Sequence, residues 1–230
     1  MCEDCLETPA PLTAEYFCAA CKTPFQNGFP LDQNGLCALC RNGLRGFDAA
    51  YCYGAYEGPL RELIHLLKYG KMKPLADPLS WYLASALPRD QRFDLVSPVP
   101  MHWLRRIRRG FNQAELLAVA TARRCGVPMI RVLRRVRATR MQAGLSNSGR
   151  RQNVTGAFQV RKPDLAEDRR VLLVDDVFTT GATASACGVA LKRAGARSVS
   201  ILTLARVDRR NAAADLPAGA QARAKSMGAL

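Results

Sequence analysis

The chain has 230 residues, of which 48% are hydrophobic and 23% are charged, and its formal net charge at pH 7 is +15. This composition is typical of a globular protein with one full core and a small accessory module. No apolar run reaches the length of a membrane-spanning helix and the first residues lack the pattern of a secretory signal, so we expect a cytoplasmic protein without membrane insertion. Most of the basic residues are arginines, which favours a phosphorylated ligand, a nucleic acid, or both.

A cysteine-rich module is predicted for residues 1–45. Nine cysteines in a chain without a secretory signal favour metal binding over disulfides. Six of them form three C-x-x-C pairs, which are Cys2/Cys5, Cys18/Cys21 and Cys37/Cys40. Residues 22–36 separate the second and third pairs, a spacing typical of a zinc site in which each pair supplies two thiolates of a tetrahedron. We therefore predict a zinc ribbon with a structural zinc ion on Cys18, Cys21, Cys37 and Cys40.

The first pair leaves three alternatives open. The chain starts too late to include a partner pair for Cys2 and Cys5, or this pair has lost its metal, or it binds metal together with one of the other pairs. Cys2 and Cys5 are therefore further candidate ligands. The remaining cysteines lie in apolar or helical contexts and are expected to be buried small residues, namely Cys52, Cys125 and Cys187.

An α/β domain is predicted for residues 46–207, which begin with alternating strands and helices. The strands cover residues 49–56, 93–99 and 127–133, and the helices begin near Pro59 and cover residues 75–87 and 112–125. Residues 134–162 are polar and Arg-rich, and we predict a mobile hood or hairpin over a site, since so long an irregular segment is uncommon unless it is functional. Residues 208–230 are expected to be a disordered tail.

A run of four arginines follows the Pro98-Val99-Pro100 turn and comprises Arg105, Arg106, Arg108 and Arg109. Guanidinium groups make bidentate contacts with phosphate oxygens, and the helix that starts near Asn112 adds its own preference for anions. We predict a basic loop that forms a second anion site ahead of this helix. The alternative is a solvated charged surface.

The central stretch of the chain is residues 171–183, VLLVDDVFTTGAT. Val171–Val174 is predicted to be a buried parallel strand, and two carboxylates follow it, Asp175 and Asp176. A turn with two threonines and a glycine leads into a helix from about Thr183 to Ala194, with Gly195 as its stop. Residues 198–204 are predicted to be a second strand, parallel to the first across the helix.

This stretch has the composition of a site for a sugar phosphate. The first N–H groups of a helix attract anions, the threonine hydroxyls add donors, and Gly181 lets the backbone approach a ligand closely. Asp175 and Asp176 suit sugar hydroxyls or Mg²⁺. A Walker A loop would need a Gly-Lys-Ser/Thr sequence, a dinucleotide site needs spaced glycines, and a receiver domain leaves the threonine turn unexplained. The remaining alternative is an acidic turn without a ligand.

Residues 171–183 resemble the phosphoribosyl pyrophosphate (PRPP) binding motif of type I phosphoribosyltransferases. By this resemblance, Asp175 and Asp176 are the catalytic residues that contact the ribose hydroxyls. The 5-phosphate would be bound by Val177, Phe178, Thr179, Thr180, Gly181, Ala182 and Thr183. Taken with the C-x-x-C pairs, PVP, RGFNQ and the RRVRATRMQAGLS and RRQNVTGAF strings, the chain from Cys2 to about Arg206 resembles the ComF family.

The resemblance implies an α/β fold with a type I phosphoribosyltransferase-like parallel sheet flanked by helices, preceded by a small cysteine-rich zinc ribbon. The implied reaction belongs to glycosyltransferases of the pentosyl class, in which a nucleophile displaces pyrophosphate from C1 of PRPP in the presence of Mg²⁺. The implied pyrophosphate loop comprises Val99, Pro100, Met101, His102, Arg105 and Arg109. The implied flexible loop includes Arg140, Gln142, Arg151 and Asn153.

Three functions are compatible with these features. The first is a transferase with an unidentified acceptor. The second is a binding module for single-stranded DNA, in which Trp103 and Phe111 stack on bases beside the arginine run. The third is an adaptor whose zinc ribbon docks a DNA-uptake helicase or channel component. We favour a PRPP-competent site in a protein that serves DNA uptake for transformation or the use of external DNA.

Overall fold

The structure is a computed structural model that describes residues 9–25, 31–137 and 156–207. Of Arg105 and Arg108 only the backbone is described. Several predicted features therefore lie outside the described residues. These are the Cys2/Cys5 pair, the predicted flexible-loop residues Arg140, Gln142, Arg151 and Asn153, and the tail over residues 208–230.

The cysteine-rich module contains two very short strands and one helical turn. Strand β1 (Tyr16–Phe17) pairs antiparallel with β2 (Pro24–Phe25), and the turn between them holds Cys18 and Cys21. Cys37 is the N-cap of the short helix α1 (Ala38–Arg41), on which Cys40 lies. The local folding of each C-x-x-C pair therefore turns its two sulfur atoms toward a common point.

A parallel sheet of four strands forms the centre of the described chain, as the sequence predicts. In spatial order its strands are β3 (Ala49–Ala55), β8 (Ser198–Arg206), β7 (Arg170–Phe178) and β4 (Leu95–Pro98). The two central strands, β7 and β8, are apolar on both faces because both faces are covered. Leu172 and Val174 of β7 contribute to one core cluster, and Val171 and Leu173 contribute to the other.

Helices cover both faces of the sheet. The first face carries α2 (Gly58–Lys68), α3 (Ala76–Ser85) and α5 (Gln113–Cys125), whose apolar residues join the core cluster that contains Leu172. The second face carries α6 (Ala182–Arg193) and an antiparallel ribbon of β5 (Leu133–Arg135) and β6 (Phe158–Val160). None of the described helices is both long and apolar enough to cross a membrane.

The structure corrects the predicted end of the central strand. We expected this strand to stop at Val174, but β7 continues to Phe178 because β8 pairs with it along the whole length, with Asp175 opposite Thr203 and Val177 opposite Ala205. Asp175 and Asp176 therefore lie within a strand rather than in a turn. Their side chains point to opposite faces of the sheet, as neighbouring strand residues do.

The arginine run is helical, which corrects the prediction of a basic loop. Residues Trp103–Arg109 form helix α4. The Nδ1 atom of His102 accepts a hydrogen bond from the Leu104 N–H at 3.3 Å, and Gly110 ends the helix with a φ of +83°. A side-chain acceptor at the start and a left-handed residue at the end are sufficient to delimit a short helix.

The strand predicted over residues 127–133 is largely absent. Only a single bridge, between Val96 and Met129, extends the sheet at that edge. The chain then leaves the sheet and forms β5, which pairs with β6 instead. The two ends of the predicted hood or hairpin are thus joined as a ribbon.

Candidate functional site

A cavity of about 290 Å³ opens at the carboxyl ends of β4 and β7. The central motif lines it with Asp175, Asp176, Val177, Phe178, Thr179, Gly181, Ala182 and Thr183. The predicted pyrophosphate loop lines it with Val99, Pro100, Met101 and Arg109. Two stretches of sequence that we predicted to bind different parts of one ligand therefore face the same space.

The turn at residues 179–181 is shaped by a glycine that has no room for a side chain. Gly181 has a φ of +69°, and a Cβ atom there would lie 2.7 Å from the Phe178 ring and 3.0 Å from Leu44. The buried Thr180 hydroxyl accepts a hydrogen bond from the Ala182 N–H at 3.3 Å. Helix α6 therefore starts directly at the cavity, where its N-terminal dipole favours an anion.

The acidic pair is asymmetric. One Asp175 oxygen accepts a hydrogen bond from the Asp176 backbone N–H at 2.9 Å. The Asp176 carboxylate forms an ion pair with the Lys68 ammonium, whose Nζ lies 2.9 Å from Oδ2. The side chains of Lys68 and Asp176 are only 15% and 7% exposed, so this ion pair is largely removed from solvent.

The electrostatic surroundings of the acidic pair shift the pKa values of Asp175 and of Lys68. Burial, together with the negative charge of Asp176, raises the pKa of Asp175 to about 7. Burial alone would lower the pKa of Lys68, but the attraction of Asp176 outweighs it, and the net pKa is raised. Lys68 is therefore a protonated cation at neutral pH, and Asp175 is close to the point where it gains a proton.

The remaining predicted loop residues have different roles. His102 is buried and caps α4, and it does not line the cavity. Arg109 does line the cavity, donates a hydrogen bond to the Gln113 side chain at 2.6 Å, and lies over the exposed Tyr69 ring at 5.2 Å. Sequence reasoning placed Arg105 beside Arg109, and of Arg105 only the backbone is described.

The prediction that Phe111 stacks on bases is wrong, because Phe111 is only 6% exposed. It packs inside the protein, with the Lys73 ammonium 5.5 Å above its ring. Trp103, by contrast, is 60% exposed on α4, and Ile107 on the same helix is 71% exposed. The exposed surface next to the cavity is therefore both basic and apolar.

Sequence reasoning missed several residues that line the cavity. Lys68 comes from the end of α2 and Arg135 from β5. Asn112, within the RGFNQ string, donates a hydrogen bond from Nδ2 to the Val99 carbonyl at 3.3 Å and thereby holds the pyrophosphate loop. The RGFNQ string was a usable signal for Asn112, whereas only the folded chain brings Lys68 and Arg135 to the site.

The four predicted zinc ligands lie together in the structure. The sulfur atoms of Cys18, Cys21, Cys37 and Cys40 all lie within 4.8 Å of one another. Zinc–sulfur bonds of about 2.3 Å in a tetrahedron would place the sulfurs about 3.8 Å apart. The distance between the Cys21 and Cys37 sulfurs is 3.9 Å, so the site fits a zinc ion.

The electrostatics of this cluster also favour a metal. The hydrogen bond between Cys21 and Cys37 lowers the pKa of the Cys37 thiol to about 5 and raises that of Cys21. Burial raises the pKa of Cys40 to about 12. Burial and the close approach of the neighbouring sulfurs thus oppose ionisation of Cys21 and Cys40, and a bound divalent metal would supply the charge that stabilises their thiolates.

The cysteine-rich module contacts the residues that line the cavity through its own last residues and those that directly follow it. Leu44 packs against Gly181 in the turn, and the Phe47 ring meets the Phe178 ring edge-on, with 6.1 Å between centroids. Gly46 packs directly on α6, where a Cβ on Gly188 would lie 2.1 Å from the Gly46 carbonyl oxygen. The module therefore supports both the turn and the helix that lead from the acidic pair.

Comparison with known proteins finds a domain family and several relatives that match this chain. A family model described as a phosphoribosyl transferase domain matches residues 100–219. Competence protein F of Haemophilus influenzae is 34% identical over 179 residues, which cover 74% of this chain and 78% of that protein. DNA utilization protein YhgH of Escherichia coli is 33% identical over 190 residues, covering 79% of this chain and 82% of that protein.

Comparison with solved structures also gives a partial match. It is the glutamine PRPP amidotransferase of Bacillus subtilis in complex with ADP and GMP, with a TM-score of 0.39 and 23% identity. The match covers 55% of this chain and 25% of that enzyme.

Proposed function

This chain belongs to the ComF family and carries a phosphoribosyltransferase domain, and from that premise we propose that it binds PRPP with Mg²⁺ and transfers the phosphoribosyl group to an acceptor. We further propose that it acts in DNA uptake or in the use of external DNA, as the names of its relatives suggest. The cytoplasmic location stays a prediction.

The observation that carries this proposal is the shared cavity. The acidic pair, the turn at the start of α6 and the pyrophosphate loop all line it. The acidic pair and the turn are adjacent in the sequence, whereas the pyrophosphate loop is distant from them and reaches the same cavity through the fold. In our proposal the turn binds the 5-phosphate, the acidic pair binds the ribose hydroxyls, and the loop with Arg109 binds the pyrophosphate.

The proposed reaction is a displacement at C1 of the ribose. The nucleophile of the acceptor forms a bond to C1 while the bond from C1 to the pyrophosphate oxygen breaks, and the electron pair leaves with pyrophosphate. Arg109 and Arg135 stabilise the negative charge that develops on this leaving group, and the acidic pair stabilises positive charge on the ribose. Mg²⁺, when bound with PRPP, neutralises part of the pyrophosphate charge, and the carboxylates are the oxygen ligands it prefers.

The test of this function is a calorimetric titration with PRPP, with and without Mg²⁺, on the zinc-loaded protein. We expect Mg²⁺-dependent binding in the wild type and none in the Asp175→Asn/Asp176→Asn double variant. A folded wild type that does not bind PRPP would refute the proposal. Where binding occurs, formation of pyrophosphate with candidate acceptors then tests transfer.

A second candidate function is binding of single-stranded DNA, which the exposed face of α4 favours. Trp103 is 60% exposed and Arg106 has a side chain that is 58% exposed, so the face combines a stacking surface with a cation. We expect Trp103→Ala to weaken binding of a single-stranded oligonucleotide, with an affinity that falls as salt increases. Trp81→Ala is the matched control, because Trp81 is 63% exposed and already lies against Arg124. Equal effects of both substitutions would contradict a role for this face.

Docking of a DNA-uptake helicase or channel component on the zinc ribbon stays a prediction. The contacts of Leu44 and Phe47 with the cavity affect how it is tested, because a deletion of residues 1–45 would also disturb the PRPP site. Substitutions on the exposed surface of the module are the better choice. Phe17 qualifies, since it is 54% exposed.

A further inference from the structure

Lys68 is a partly buried cation that the sequence motifs of the site do not include. It is the last residue of α2, a helix whose apolar side is fixed in the core by Leu60, Leu63, Ile64 and Leu67. Its ammonium lies 2.9 Å from Asp176, and its side chain is 15% exposed. A long flexible side chain is not kept in such a place by packing alone, so the ion pair determines its position.

The next residue connects the same helix end to the other side of the cavity. Tyr69 lies under the Arg109 guanidinium, at 5.2 Å from the ring centroid. The end of α2 thus contacts both the acidic pair, through Lys68, and the arginine that faces the proposed pyrophosphate position. Among the described residues, Lys68 is the cation that forms an ion pair with Asp176.

We propose that Lys68 is a positioning residue that acts as the fixed counter-ion of the acidic pair. It holds the Asp176 carboxylate in place for the ribose hydroxyls, and it keeps free divalent cations off the pair. The positioning of Asp176 for the ribose hydroxyls rests on the proposed function. The exclusion of free divalent cations does not require PRPP and can be tested on the protein alone.

The physical reason is the charge of the acidic pair. The carboxylates of Asp175 and Asp176 point to opposite faces of the sheet, but both residues line the cavity. Their oxygens and their negative charge attract a divalent cation, which prefers oxygen ligands. Lys68 cancels one of these charges and occupies one face of Asp176 with its own hydrogen-bond donors. A metal that approaches without PRPP meets a smaller net charge and a carboxylate that is already engaged. A metal that arrives with PRPP would be held in part by the pyrophosphate oxygens, so the engaged Asp176 carboxylate would exclude it less than it excludes the free cation.

The first experiment measures binding of Mn²⁺, as a spectroscopic probe for divalent cations, to the zinc-loaded protein without PRPP. We expect no site in the wild type, a new site in Lys68→Met, and loss of that site in Lys68→Met/Asp176→Asn. Lys71→Met is the matched control, because it removes an exposed lysine three residues away that does not line the cavity. A tight Mn²⁺ site in the wild type that Asp176→Asn abolishes would overturn the proposal.

The second experiment measures the affinity for PRPP in the presence of Mg²⁺. We expect Lys68→Met to bind roughly 10- to 100-fold more weakly, as is usual when the partner of a ligand-contacting group is removed. Lys68→Arg keeps the charge and should retain more binding than Lys68→Met. Because Lys68 acts through Asp176, the Lys68→Met/Asp176→Asn variant should bind no more weakly than Asp176→Asn. This double variant removes both charges and so leaves no unpaired ion that would prevent folding.

The outcomes separate this inference from the proposed function. If the wild type binds PRPP and Lys68→Met binds it equally well, the positioning role is wrong and the proposed function stands. If the losses from Lys68→Met and Asp176→Asn multiply, Lys68 contacts PRPP directly and the positioning role is likewise wrong. If the wild type does not bind PRPP, the proposed function fails, and the Mn²⁺ titration alone decides whether Lys68 is the counter-ion.

Discussion

The contact between Gly46 and Gly188 gives the sharpest test of how the cysteine-rich module is attached to the domain. Gly188 lies in the interior of α6 and is buried. A Cβ atom at this position would lie 2.1 Å from the Gly46 oxygen and 2.6 Å from the Gly46 carbonyl carbon. Both are backbone atoms, so they cannot turn aside as the end of a side chain can. The substitution Gly188→Ala must therefore push α6 away from Gly46.

The expected loss of stability is a balance of two effects. Alanine in place of glycine in a helix interior stabilises the helix by about 1 kcal/mol. Overpacking in a well-packed core costs about 1–3 kcal/mol, and a clash with backbone belongs at the upper end of that range. We therefore expect Gly188→Ala to lower the free energy of unfolding by about 2 kcal/mol. For a chain of this size that corresponds to a fall in Tm of about 4–8 °C.

The assay is urea unfolding of the zinc-loaded protein, followed by circular dichroism. Arg193→Ala on the same helix is the control, because Arg193 is exposed and its replacement creates no clash. We expect that control to change the free energy of unfolding by less than about 0.5 kcal/mol. A Gly188→Ala variant that is as stable as the wild type, or more stable, would refute the reasoning, since helix propensity would then outweigh the contact.

Three further predictions concern the turn, the metal and the acid stability. Gly181→Ala should weaken PRPP binding measured by calorimetry. The φ of +69° at Gly181 and the Phe178 ring, 2.7 Å from the position of a Cβ atom, leave no room for a methyl group. Unchanged affinity would contradict the close approach of the turn to its neighbours. Removal of zinc by a chelator should lower Tm and should also weaken PRPP binding, whereas an effect on Tm alone would separate the module from the site. The Asp94 carboxylate accepts hydrogen bonds from the Arg170 side chain and backbone, which lower its pKa from 3.8 to about 2. The ionised Asp94 carboxylate therefore contributes to stability above pH 4, and this contribution is lost as the pH falls from 4 toward 2. The Asp94→Asn variant should be less stable than the wild type at neutral pH. It should also lose less stability than the wild type between pH 4 and pH 2, as measured by urea unfolding.

The part of the site that could be predicted from sequence is the part that is local in the chain. The strand, the acidic pair, the glycine turn and the start of α6 follow one another without interruption, and each has its own residue signature. The cysteine pairs are local in the same way, since each forms within a single turn. Two such pairs are expected at a predictable spacing along the chain, because a tetrahedral zinc site has four ligands.

The part that could not be predicted depends on pairing between distant segments. The acidic pair lies in a strand because β8 pairs alongside it, and nothing in the motif itself indicates how far that pairing extends. Lys68 and Arg135 reach the cavity from elements on either side of the sheet. The arginine run was predicted as a loop because it lies between the Pro98-Val99-Pro100 turn and the next helix. A side-chain cap from His102 and the left-handed Gly110 are nevertheless enough to make it helical.

The packing of Leu44 on the turn bears on how the two modules can be exchanged between proteins. A chimaera that joined this domain to an unrelated zinc ribbon would keep every residue of the stretch 171–183 and still lose the side chain that covers Gly181. Successful exchange would have to carry over the junction, residues 44–47, as part of the recipient domain rather than of the donated ribbon. Transfer of the two modules as one unit should therefore preserve this contact, and an engineered cut between them is better placed before Leu44 than after Arg45.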